Sequence, residues 1–111
     1  MRAIAVLLAL LGGAGCGGAL SEGRYEFSKG RYSEAKQTFL SAEVETRGWS
    51  AGDQAEYALY RGLTHAALGD RAAASAWLSL AKTIERAAPG SLSERDASRL
   101  AIGMEELGML E

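Results

Sequence analysis

The sequence predicts an all-α protein, and three observations carry that prediction. Ala58, Gly62, Ala66 and Gly69 recur at helical spacing, and Ala74, Trp77, Ala81 and Ile84 do the same just beyond. Each stretch therefore has one stripe that must be buried. Glycines at 30, 69 and 108 lie 39 residues apart each time, the first two in helix-to-helix turns and the third in a half echo of them, Glu106-Leu107-Gly108-Met109. No segment alternates apolar and polar residues over five positions, as a half-buried strand would.

The elements follow in order. A first helix is predicted from Ser21 to Lys29, with Tyr25 and Phe27 its large residues. Lys29-Gly30-Arg31 turns the chain into a second, which starts at Tyr32 and carries Tyr32, Ala35, Phe39 and Ala42 on one stripe. Gly48-Trp49-Ser50-Ala51-Gly52 interrupts it, because each glycine lowers helix propensity by about 1 kcal/mol. Ser50, with Asp53 three residues on, caps a third helix that runs to Leu68. Gly69 can take the left-handed turn that ends a helix, and Asp70 can cap the fourth, Arg71 to Ala88. Pro89-Gly90 stops that helix. Ser91-Leu92-Ser93-Glu94 then reads as a capping box for a fifth, which runs to Leu110.

At 111 residues the chain is long enough for one small domain. Apolar residues make up 48% and charged residues 23%, ordinary for a globular protein. The net charge is −2 with the signs interspersed, so no basic patch points to nucleic acid. Catalytic chemistry is poorly provided for. His65 is the only histidine and falls beside the small-residue stripe, a core or groove position. A metal site needs several histidines, cysteines or converging carboxylates. Glu105 and Glu106 are adjacent, so they point about 100° apart on a helix and cannot act as a pair. No P-loop, dinucleotide glycine motif or nucleophile elbow occurs. The expectation is a protein without enzymatic activity, metal or cofactor.

The N-terminus reads as an address. Met1-Arg2 gives a short positive start, Ala3 to Leu11 is an apolar run of nine, and small residues follow. That layout is a secretory signal, too short to span a bilayer. Five of the fourteen glycines fall between 12 and 18, around the only cysteine, Cys16. Gly13-Ala14-Gly15-Cys16 resembles a bacterial lipobox, in which the cysteine after two small residues becomes lipidated. This resemblance implies a signal peptide over 1–15, a lipidated tether over 16–20 and a helical domain over 21–111. Several acyl chains, at about 0.8 kcal/mol per buried methylene, would hold the protein on a membrane. Gly17 in place of an aspartate leans towards the outer membrane, facing the periplasm.

The helical region resembles the tetratricopeptide repeat family, whose helix pairs of about 34 residues stack into a solenoid. Gly23 with Ala35, and Gly62 with Ala74, take the family's small-residue positions where paired helices cross. Gly30-Arg31 and Gly69-Asp70 match its inter-helix turn, and Phe39 with Ala42 and Leu78 with Ala81 close its second helix. The spacing of 39 departs from the family's and leaves about five extra residues between Val44 and Asp53. The resemblance implies a short α-solenoid of about two and a half repeats, with Phe39 and Trp77 as wedges between layers. It also implies that the first helix of each pair lines a groove for a protein or peptide partner. In this register Arg24 and Phe27 come from the first helix, Glu56, Leu59, Tyr60 and Leu63 from the third, and Arg99 and Ile102 from the fifth. The family's carboxylate clamp uses asparagines, and this chain has none.

The fifth helix is expected to have two apolar sides. Leu100, Met104, Leu107 and Leu110 share one and can pack on the fourth helix, whereas Ile102 and Met109 fall opposite. The chain stops at Glu111, so that second side is expected to dock a second copy or a partner's helix. Two functional expectations result. One is an interaction module in a bacterial envelope assembly. The other is a structural subunit that completes a larger partner's solenoid or forms a homodimer.

Overall fold

A computed structural model describes residues 16–109 as five α-helices and one 3₁₀ segment, with no strand among the described residues. They are α1 (Cys16–Ser28), α2 (Tyr32–Ala42), the 3₁₀ segment Glu43–Gly48, α3 (Ala51–Ala67), α4 (Arg71–Ala87) and α5 (Glu94–Glu106). The leader read over 1–15, together with Leu110 and Glu111, lies outside the described residues. α1 and α2 form one hairpin, α3 and α4 a second, and α5 packs on α3 and α4. The two hairpins meet where α1 and α2 lie against α3. No described helix is long and apolar enough to cross a membrane.

The three glycines 39 residues apart do the same work. Gly30, Gly69 and Gly108 have φ of 75°, 85° and 74°, where a side chain would be strained. In each turn the glycine N–H donates to the carbonyl three residues back and the next N–H to the carbonyl five back, at 2.8–3.0 Å. These paired bonds satisfy carbonyls that a helix end leaves open. α1, α3 and α5 therefore stop at 28, 67 and 106, and α2 and α4 start at 32 and 71. At the opposite helix ends, Ser50, Asp70 and Ser93 each accept from the backbone N–H three residues on, at 3.1 Å. The cap of α5 is thus Ser93 with Asp96, two residues beyond the expected Ser91–Glu94 box.

Where the helices of a hairpin cross, a glycine meets a large side chain. A Cβ on Gly23 would lie 2.2 Å from the Phe39 ring, and one on Gly62 would lie 2.6 Å from a Leu78 methyl and 3.1 Å from the Leu78 backbone nitrogen. Ala35 and Ala74, the other half of each expected crossing, are fully buried. The glycines seat the wedge one helical turn further on. Around these crossings Tyr57 is the centre of the core: Phe39, Trp49 and Trp77 each meet its ring edge-on, at 5.6, 5.7 and 5.6 Å. Such pairs contribute about 0.5–1.5 kcal/mol each beyond the area they bury.

Two boundaries differ from expectation. α1 begins at Cys16 rather than Ser21, and Leu20 is buried in the core, so the last residues expected as a tether belong to the fold. α5 ends at Glu106 rather than Leu110, because Gly108 turns the chain back.

Candidate functional site

α1, α3 and α5 expose one continuous groove. At its first station a pocket of about 320 Å³ is lined by Ser21, Arg24, Tyr25, Ser28, Tyr60 and Arg99. Next to it, sharing Arg99, a hollow of about 250 Å³ is lined by Phe27, Leu63, Ile102, Gly103 and Glu106. Phe27 and Leu63 continue into a third pocket of about 360 Å³, which reaches Tyr32, Ala66, Ala67, Arg71 and Leu107 at the glycine-turn end.

Tyr60 organises the polar station. Its ring is buried, with the Arg24 guanidinium 4.7 Å and that of Arg99 5.8 Å from its centroid. Its hydroxyl donates to Asp96 at 2.7 Å and accepts from Arg99 at 3.0 Å. Burial first, then the hydrogen bond to Asp96, push the Tyr60 hydroxyl above the usual phenol range. Arg24 pairs with Glu56 behind the pocket. Among the described residues no carboxylate lines the pocket itself, which presents two guanidinium groups and several hydroxyls. Phe27 meets Tyr60 edge-on at 5.7 Å and carries the groove into its apolar half.

Of the residues expected to contact a partner, Arg24, Phe27, Tyr60, Leu63, Arg99 and Ile102 are brought together here. Two are not. Leu59 has no exposed surface and is a core residue, because α3 is packed on by all four other helices. Met109 does not share a face with Ile102. Its N–H bonds to the Met104 carbonyl at 2.8 Å past the Gly108 turn, and its side chain packs against the core. Ile102, 55% exposed, borders the groove rather than an end face. Of Cys16 only the backbone, as the first residue of α1, is described.

Sequence reasoning missed Asp96, whose carboxylate is buried against Tyr60. The capping box was read at Ser91–Glu94, so Asp96 was given no role. It also missed a cluster on another flank of α3. There Arg61, only 8% exposed, donates to Glu43 at 2.7 Å, to the Tyr57 hydroxyl at 3.0 Å and to His65 at 3.3 Å, and stacks 4.1 Å over Trp77. The signal was present as Tyr57, Arg61 and His65, spaced four apart on one helix face. Among the described residues no three His, Cys, Asp or Glu side chains are grouped to hold a metal ion. Comparison of the chain with protein-family models, curated proteins and solved structures finds no match.

Proposed function

We propose that this chain is a non-enzymatic, tetratricopeptide-like interaction module, lipid-anchored through Cys16 in a bacterial envelope, that holds an extended segment of a partner protein in the α1–α3–α5 groove. One observation carries the reading. Six residues chosen by register from three helices line a single groove whose polar pocket adjoins an apolar one through Arg99. The recurrence of helix ends and crossing glycines at a 39-residue interval supports the repeat architecture. The groove's chemistry describes its occupant: an acidic group set against Arg24 and Arg99, beside a bulky apolar side chain in the hollow of Phe27, Leu63 and Ile102. The anchor is supported by the Gly13-to-Cys16 pattern, and the outer membrane by Gly17.

A displayed library of extended peptides, selected on the wild-type chain, tests the groove. Selected sequences should pair an acidic residue with a bulky apolar one, and Arg99→Ala should weaken them tenfold or more, about 1.4 kcal/mol. Enrichment of sequences that bind Arg99→Ala and Leu63→Asp equally well would place the binding surface elsewhere. For the anchor, Cys16→Ser should release the protein from the membrane fraction of a bacterial host. Failure of a palmitate analogue to label the wild type would refute lipidation.

A further inference from the structure

The cluster around Arg61 plays no part in the groove, yet it joins the hairpins that form it. Tyr57 donates its hydroxyl to the Phe39 carbonyl of α2 at 2.6 Å and accepts from Arg61. Arg61 reaches Glu43 in the 3₁₀ segment and stacks on Trp77 of α4. His65, 5% exposed, accepts through Nε2 from Arg61 Nε at 3.3 Å. Because Nε2 is the acceptor, a neutral ring carries its proton on Nδ1. Nδ1 is buried and has no hydrogen-bond partner among the described residues. Three charged groups face the ring: Arg61 on α3, Lys36 on α2 and Asp70 at the start of α4. Glu43 and Tyr57 face it through Arg61.

We propose that His65 is a proton-operated latch: proton uptake at Nε2 in mildly acidic solution releases the first hairpin from α3 and so opens the groove. The added N–H would point at the N–H of Arg61, donor against donor, in a space with no room for water between them at 3.3 Å. Two cations, Arg61 and Lys36, would oppose the imidazolium and only Asp70 would favour it. The ring can accept its proton only by leaving, and Arg61 then loses one of its three partners. The seam that loosens lies between α2 with its 3₁₀ extension and α3. Arg24 and Phe27 ride on the same hairpin as α2, so they would separate from Tyr60 and Leu63. This inference does not depend on what occupies the groove.

The sign of the pH effect follows from the burial. Desolvation first, then Arg61, hold the His65 imidazole below its ordinary value of 6.5 in the folded protein. Above pH 6.5 the ring is neutral in both latched and released states, and the latch is at full strength. As pH falls below 6.5 the released state binds a proton that the latched state refuses, until the folded-state value is reached.

Amide hydrogen exchange of α2 at pH 7.5 and 5.0, corrected for the intrinsic pH dependence of exchange, tests the latch. The opening constant of α2 should rise in acid by up to about thirtyfold, the limit set by an ordinary imidazole in the released state. His65→Gln keeps an acceptor for Arg61 but has no proton to take up, and its α2 exchange should be flat over this range. An unchanged wild type, or an equal rise in the glutamine variant, overturns the latch. If that variant does not fold, the single imidazole of the wild type can be titrated directly by nuclear magnetic resonance. A midpoint below 6.5 with the neutral proton on Nδ1 supports the latch, and a midpoint at or above 6.5 overturns it.

Discussion

Two flanks of α3 carry the same chemical device. On one, Tyr60 donates its hydroxyl to Asp96 and accepts from Arg99. On the other, Tyr57 donates to the Phe39 carbonyl and accepts from Arg61. In both an arginine lies over an aromatic ring, at 4.7 Å for Arg24 on Tyr60 and 4.1 Å for Arg61 on Trp77. The difference is access to water. Arg61 is sealed among the 3₁₀ segment, α3 and α4, with its donors engaged by Glu43, Tyr57 and His65, whereas Arg24 and Arg99 line an open pocket. A buried arginine with matched partners fixes how two hairpins sit, while an open one keeps donors free for a ligand. One residue pair thus serves cohesion or recognition according to what covers it.

The sharpest way to break this comparison is to remove each arginine in turn. Arg61→Ala should cost about 2–3 kcal/mol in urea unfolding, because Tyr57 and His65 keep their buried polar atoms but lose a partner. Arg99→Ala should stay within about 0.5 kcal/mol of the wild type, since its side chain is exposed. Equal losses would mean that both flanks are structural and that the groove needs another anchor.

The crossing glycines sharpen the comparison with smaller effects. Gly62→Ala and Gly23→Ala should each destabilise by about 1–3 kcal/mol through overpacking, against a helix-propensity gain of about 1 kcal/mol. Gly103 lies under the groove, where an added Cβ would meet only the ends of Leu63 and Leu78, at 3.0 and 3.3 Å. Gly103→Ala should therefore be neutral within about 0.5 kcal/mol in thermal unfolding. Gly103→Ala should leave the fold intact while making the apolar hollow shallower.

The smallest effect concerns Glu85, in the last turn of α4. Its carboxylate accepts from the Gly90 and Leu92 N–H groups, both at 2.8 Å, and those bonds, Gly90 first, hold it below the usual carboxylate value of 4.5. A lowered folded-state pKa gives stability that is present above 4.5 and lost as pH falls through the folded value. Glu85→Gln should flatten that acid limb slightly and leave the region between pH 5 and 6.5, where His65 acts, unchanged.

What could be read in the sequence was whatever rests on local geometry. Gly30 and Gly69 announce helix ends because only a residue without Cβ enters that turn freely, and Ser50 and Asp70 announce starts through side-chain oxygens. Arg24, Tyr60 and Arg99 could be picked out together because helical periodicity on α1, α3 and α5 puts each on a side that lines the same pocket. Leu59 was misplaced because an amphipathic reading allows α3 one buried stripe, and a central helix is covered on several sides. Met109 was misplaced because the turn at Gly108 was taken as part of a helix that ran on to Leu110. The Arg61 cluster was hidden by the habit of assigning charge to the surface. Its burial depends on Glu43 and Trp77, which are 18 and 16 residues away in sequence.

The 3₁₀ segment between the hairpins acts as a phase setter. With about three residues per turn, each residue in it rotates the following chain by about 120°. Glu43 at its start must face Arg61 and Trp49 just past its end must face Tyr57, so its six residues amount to about two whole turns. Deleting one residue would swing one of those side chains out of place and leave the second hairpin out of step with the first. Deleting three would shorten the link by about 6 Å but keep the angular relation. The distance between neighbouring hairpins is then adjustable in steps of one turn, and not by single residues.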